Sequence, residues 1–281
     1  MDSHTQKSVT DPLSVYRAVI ETDRRLIRGE TLADTEKASL AKLFMAARST
    51  DKQKRRFYEG VRFPGNTDAS GRHMYPEFFI PPYNGGKKLQ TVLGQTPKTY
   101  IFSANMYELE ILRLLTLLSL DNAVSVMVEH TLERLRTTCF ASENDGVGEC
   151  FDTSLVALRF LGTCAPSETD WMRSRIASFY HRYPEKKRPW FSKWYFWLCL
   201  SELPDEVALP EIMRYRDEVL PWLTKKSCVM NSENDRAVHP VLLCMLRNML
   251  ARLPEFANIK TYQPYIDPRD GRLRFDIKGM K

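Results

Sequence analysis

The sequence predicts a mainly all-α protein of stacked antiparallel helical hairpins, an open α-α solenoid or a toroid-like ring. An irregular Gly/Pro/aromatic segment and a C-terminal β-hairpin complete it. Three observations predict this class. First, Ser142-Glu143-Asn144-Asp145 recurs as Ser232-Glu233-Asn234-Asp235, each copy following a leucine and a cysteine (Leu135 and Cys139, then Leu223 and Cys228) and preceding an apolar run. Second, almost wholly apolar helical stretches alternate with amphipathic ones, and the apolar ones begin roughly 36 to 51 residues apart, around the interval of stacked helical hairpins. A single hairpin cannot bury its own apolar face, so the units must stack and their loops collect on a rim. Third, two strand-like runs flank the turn Asp267-Pro268-Arg269-Asp270-Gly271, the pattern of a hairpin.

The elements follow in order. Asp11-Pro12 opens the first helix with an acceptor at the cap and proline in the first turn; Val15, Val19, Leu26 and Ile27 keep helical spacing until Gly29 ends it. Thr31 starts a second helix whose stripe is Leu32, Leu40, Leu43 and Phe44. Residues 60–94 then hold half of the chain's 12 glycines, four prolines and five interspersed aromatics. No helix is expected there, and a long segment of this kind is either packed down by its own side chains or serves as a lid over a ligand. Apolar helices are expected at 106–120, 153–163, 189–203 and 240–253, and amphipathic or mixed ones at 122–138, 167–181 and 210–223. Ser167 and Asp170 have the spacing of a capping box. The strands are expected at 262–266 and 272–277, packed on the helices or paired with an extended piece of residues 60–100. The chain thus divides into a hairpin (1–59), a loop or lid (60–105), a helical-repeat core (106–253) and a β appendage (254–281), within one compact domain.

Composition excludes several classes. With 281 residues, 43% of them hydrophobic, the chain can bury a full core. The richest apolar run, at 111–120, is broken by Arg113 and follows Glu108 and Glu110, so no membrane span is expected. The polar residues 1–11 lack the apolar centre of a secretory signal, and a cytoplasmic location is expected. Six cysteines without a Cys-x-x-Cys pair read as reduced thiols. The net charge of +6 is modest and the basic runs at 52–56 and 186–188 are short and separated, which argues against a nucleic-acid partner.

The stretch Asp145-Gly146-Val147-Gly148-Glu149-Cys150-Phe151-Asp152-Thr153, with the apolar helix that follows to Leu161, resembles the loop-and-inner-helix unit of the α/α-toroid proteins, which include terpene cyclases and protein prenyltransferases. The resemblance covers about residues 106–253 and implies an isoprenoid-type or other apolar ligand. The Asp-x-Asp-Asp motif of the cyclases and the Gln-Trp repeat signature are absent from this chain.

Three constellations could carry chemistry. The acidic loops Glu143, Asp145, Glu149 and Asp152, and Glu233 with Asp235, would share a rim if the units stack; carboxylates converging on an apolar cavity acquire raised pKa values and act as acids. The same residues are also ordinary helix-terminus chemistry. Trp190, Trp194 and Trp197 share one face of an aromatic helix and could wall a pocket for an apolar or cationic ligand, or simply fill the core. Cys139 and Cys150, and Cys228 and His239, are each eleven positions apart, a set that would suit zinc; buried thiols account for them equally well, and no metal or cofactor is assigned. Two functions follow: a binding protein that presents a concave or rim surface to a protein partner, and a toroid-like enzyme or carrier of an apolar small molecule.

Overall fold

The computed structural model describes residues 11–50, 52–53, 74–80, 89–118, 121–142, 149–182, 190–275 and 277, without the side chains of 149, 150, 190 and 191. The chain is mainly helical, with a small antiparallel sheet near its C-terminus. The helices are α1 (Pro12–Arg28), α2 (Asp34–Ala46), α3 (Tyr100–Leu118), α4 (Asn122–Arg136), α5 (Glu149–Cys164), α6 (Thr169–Arg182), α7 (Trp190–Glu202), α8 (Asp205–Thr224) and α9 (Glu233–Leu250), followed by a 3₁₀ helix (Pro254–Thr261).

Helix α1 forms as its ends dictate. The Asp11 carboxylate accepts from the Leu13 and Ser14 amides, Pro12 sits in the first turn, and Gly29 closes the helix at φ 87°. Helix α2 begins at Asp34, later than the expected Thr31, and no side chain caps it. Helix α3 begins at Tyr100, before the expected 106, because Phe102 and Ala104 already face the core. It is buried almost all round, as the apolar residues on every face of it require.

Odd-numbered helices form an inner layer. Each lies against the next, and α1 lies against both α3 and α9, so the row closes on itself. Of the N-terminal pair, α1 therefore stands in the inner row and α2 outside it. Outside, α2 packs on α1 and α3, α4 on α3, α6 on α5, and α8 on α7 and α9. One hydrophobic core runs from Val15 to Ile277.

Proline misled the expected starts of two helices. Pro210 and Pro221 lie inside α8, and Pro240 lies inside α9. Each removes one backbone donor at a cost of up to about 3 kcal/mol. Burial of Val207, Ala208 and Ile212 in α8, and the cap and burial of Val238 in α9, outweigh that cost. Ser167 likewise precedes its helix: Glu168 accepts the Met172 amide and Ser167 stands in the turn before.

The serines of the two Ser-Glu-Asn-Asp copies do different jobs. Ser232 caps α9: its hydroxyl accepts the Asp235 amide at 3.0 Å, and Asp235 accepts the Ser232 amide at 2.9 Å. Ser142 instead donates its amide to the Thr138 carbonyl at 2.8 Å, closing the turns after α4.

At the C-terminus, Leu253, Phe256 and Ile259 are buried at the three-residue period of the 3₁₀ helix. The expected hairpin forms as β2 (Tyr265–Ile266) and β3 (Leu273–Arg274), with Tyr265 opposite Arg274 and Ile266 opposite Leu273. The partner strand is β1 (Ser227–Cys228), pairing with β3 to give the order β1-β3-β2; it comes from the α8–α9 connection and not from residues 60–100. The described parts of residues 60–94 pack into the core through Met74, Phe78, Ile80, Leu89, Val92 and Leu93. Gly94, at φ 82°, approaches α9 so closely that a Cβ would meet Val238 Cγ2 at 2.7 Å.

Candidate functional site at one mouth of the helix ring

Charged residues meet where the inner helices end. Asp23 of α1, Glu110 and Arg113 of α3, Arg159 of α5 and Glu202 of α7 form one network. Arg159, with a fully buried side chain, stands at its centre. Its Nη1 donates to Asp23 Oδ2 at 2.7 Å and to Glu110 Oε1 at 2.9 Å; its Nη2 donates to Asp23 Oδ1 at 3.0 Å and Glu202 Oε1 at 2.7 Å; its Nε donates to Glu202 Oε2 at 2.8 Å. Arg113 donates to Asp23, to Glu110 at 3.0 Å and to Glu202 at 3.3 Å. The Tyr195 hydroxyl donates to Glu110 Oε1 at 2.7 Å.

Three carboxylates against two guanidiniums leave one negative charge in excess. Burial opposes ionisation of Asp23, but Arg113 and Arg159 outweigh it and hold the carboxyl below the usual range. Burial also works against the charge on both arginines, and the surrounding carboxylates reverse that and raise their pKa values. Burial, reinforced by Glu110, keeps the Tyr195 phenol protonated. The arginines and the phenol thus hold fixed protonation states near neutral pH. The arrangement can bind and orient charge.

Above the network is a cleft of about 410 Å³, lined by Asp23, Leu26 and Ile27 from α1, Arg113 and Leu117 from α3, Gly162 and Thr163 from α5, Glu202 from α7 and Asn248 from α9. All of these lie in the C-terminal halves of their helices, so the inner helices run parallel and end on one rim. Such ends carry partial negative charge, and the chain answers with arginines. Arg247 donates to the Arg28 and Tyr262 carbonyls, and Arg252 donates to those of Leu200 and Leu203. Of the three carboxylates, Glu202 is the one open to solvent: its side chain is 20% exposed, against 1% for Asp23 and 4% for Glu110. Leu117, 49% exposed, forms an apolar edge.

A second buried group fastens residues 74–80. Glu77 accepts from Arg48 Nε at 2.9 Å and lies 2.9 Å from His130 Nδ1, while its amide donates to Glu108 at 2.7 Å. Glu108 in turn accepts from Arg134. Burial, the larger influence, raises the Glu108 pKa against the pull of Arg134.

The residues expected to carry chemistry are placed elsewhere. Glu233 and Asp235 open α9, roughly 20 Å along the helix from Asn248 at 1.5 Å per residue; Asp235 completes the cap with Ser232, and Glu233 stands in the first turn. Asp152 accepts from Ser192 Oγ at 3.0 Å, tying α5 to α7. Glu143 and Asp145 lie outside the described residues, as do the side chains of Glu149, Cys150 and Trp190. Trp194 and Trp197 do not wall the cleft. They are 4% and 1% exposed and pack edge-on against each other, Trp222 and Tyr215 in the α7–α8 interface. Cys139 is exposed after α4, Cys228 is buried in β1, and His239 Nδ1 lies 2.7 Å from the Val229 carbonyl. Among the described residues no group of three or more His, Cys, Asp or Glu is placed to hold a metal ion.

One signal in the sequence did point to the network. Glu108, Glu110 and Arg113 interrupt an apolar helix, and Arg159 interrupts another. A charge inside a helix that is apolar all round must find buried partners. Among the described residues no helix is long and apolar enough to cross a membrane. No family model, curated protein or solved structure matches the chain.

Proposed function

We propose that this chain is a small-molecule-binding protein that receives a positively charged ligand at the C-terminal mouth of its inner helices. The observation that carries this reading is the cleft itself, to which all five inner helices contribute and on whose floor one carboxylate, Glu202, meets solvent. Its volume suits a small organic molecule. The excess negative charge of the network favours a cation, and Leu26, Ile27 and Leu117 favour one with an apolar body. The succession of helix pairs and the closure of the inner row support reading the chain as a repeat of α/α-toroid type. The wall of the cleft is polar and aliphatic, in place of the aromatic wall that an isoprenoid-type ligand would call for. Titration with benzamidine and benzylamine, followed by calorimetry, tests the reading. Saturable binding, weakened about tenfold by Glu202→Gln, supports it; no heat from either compound ends it.

A macromolecular partner, taken up on a rim, is the second reading. It is favoured by Val229, Tyr262, Tyr265 and Ile266, which stand exposed around the small sheet, where β2 is an edge strand. Here Ile266→Asp is expected to abolish crosslinked capture of a partner, and an unchanged set of captured proteins removes the reading.

A further inference from the structure

A second cleft, of about 360 Å³, lies between α1 and residues 89–90. We propose that it binds a small organic oxyanion, a carboxylate or phosphate ester with an apolar body. Arg17, Glu21 and Arg24 line it at positions i, i+4 and i+7, which places them on one face of α1. The one carboxylate among them is engaged with a third arginine: Arg28 Nη2 lies 3.4 Å from Glu21 Oε1. Neither Arg17 nor Arg24 forms an ion pair among the described residues, and the two arginines outnumber the one carboxylate that lines the cleft, which gives it an excess of positive charge.

The geometry of Arg24 narrows the ligand further. Its Nε donates to the Val92 carbonyl at 3.1 Å, which fixes the plane of the guanidinium. Among the described residues its Nη1 and Nη2 make no hydrogen bond, and these two parallel donors match the paired oxygens of a carboxylate or phosphate. Burial pulls the Arg24 pKa down, with Glu21 opposing, as befits a charge short of a counter-charge. Ile20 and Leu89 supply an apolar wall, and Tyr16 also lines the cleft. A cation would face two arginines here, which separates this site from the mouth.

Calorimetric titration of the whole chain with benzoate, phenyl phosphate, inorganic phosphate and benzyl alcohol tests the proposal. Saturable binding of benzoate or phenyl phosphate, and none of benzyl alcohol, is expected. Each of Arg17→Gln and Arg24→Gln should weaken it about tenfold, while Arg216→Gln, the same change of charge on α8, leaves it unaltered. Arg24→Gln also removes the Val92 contact, so Arg17→Gln, whose side chain makes no hydrogen bond or ion pair among the described residues, keeps the test clear of folding. The site is overturned if neither organic anion binds, or if binding survives Arg17→Gln unchanged. Inorganic phosphate binding as tightly as phenyl phosphate would overturn the apolar body.

Discussion

Arg159 and Glu202 form a bidentate pair, Nε to Oε2 at 2.8 Å and Nη2 to Oε1 at 2.7 Å, that ties the middle of α5 to the last residue of α7. Because the same guanidinium also holds Asp23 and Glu110, one side chain fastens four inner helices. Desolvating such charges is expensive, and a buried network is weak evidence of net stability. What it does supply is register, since these five groups satisfy one another across four inner helices.

Removing the centre should therefore be far worse than trimming the edge. Arg159→Met is expected to cost about 3–5 kcal/mol, because it leaves buried carboxylates uncompensated. Glu202→Gln, at the solvent-facing side, should cost less than half as much. Urea denaturation of the two variants measures this; equal losses would mean that the network does not act as a clamp.

Gly162 marks the closest approach of α5 to the end of α7. A Cβ there would meet Leu203 Cδ2 at 2.7 Å and Leu203 Cα at 3.4 Å. Gly162→Ala gains up to about 1 kcal/mol of helix propensity and loses about 1–3 kcal/mol to overpacking, so a net fall in melting temperature is expected. Adding Leu203→Ala should make the two changes non-additive, the double variant being more stable than the sum of the single losses allows.

Asp267 gives the small sheet a pH dependence of defined sign. Hydrogen bonds from the Arg269 side chain and amide, and from Arg274, hold its carboxyl well below the usual range. A depressed folded-state pKa contributes stability that is present above the ordinary value of about 3.9 and is lost as pH falls through the folded value. Asp267→Asn is therefore expected to lower the melting temperature at pH 6 and to lose that difference progressively below pH 4. A gap that is the same at pH 6 and pH 2.5 would contradict it.

The acidic tetrapeptide that opens α9 should behave as a cap. Ser232→Ala is expected to cost about 1 kcal/mol while leaving the affinity of the mouth for benzamidine unchanged, since Ser232 and Asn248 stand at opposite ends of α9. A loss of binding at unchanged stability would return Glu233 and Asp235 to the list of functional residues.

Much of the fold was legible in the chain. The cap at Asp11, the stop at Gly29 and the turn at 267–271 depend on neighbours in sequence, and each stands where local chemistry placed it. Boundaries near Pro210 and Pro240 were misread because a buried face and a capping box outweigh one missing donor. Trp194 and Trp197 share a covered face of α7, but periodicity tells only that a face is covered. Whether α8 or a cavity covers it depends on packing between helices.

The sequence by itself determined the helical class, the alternation of apolar and amphipathic helices and the C-terminal hairpin, because these follow from periodicity, capping and turn chemistry within a few residues. Only the tertiary structure decided that the row of inner helices closes. With that closure, Asp23, Glu110, Arg113, Arg159 and Glu202, spread over about 180 positions, come to one point. Their charges could be seen in the apolar runs, but a buried charge names only its need for a partner; which partner it finds is set by how the helices meet.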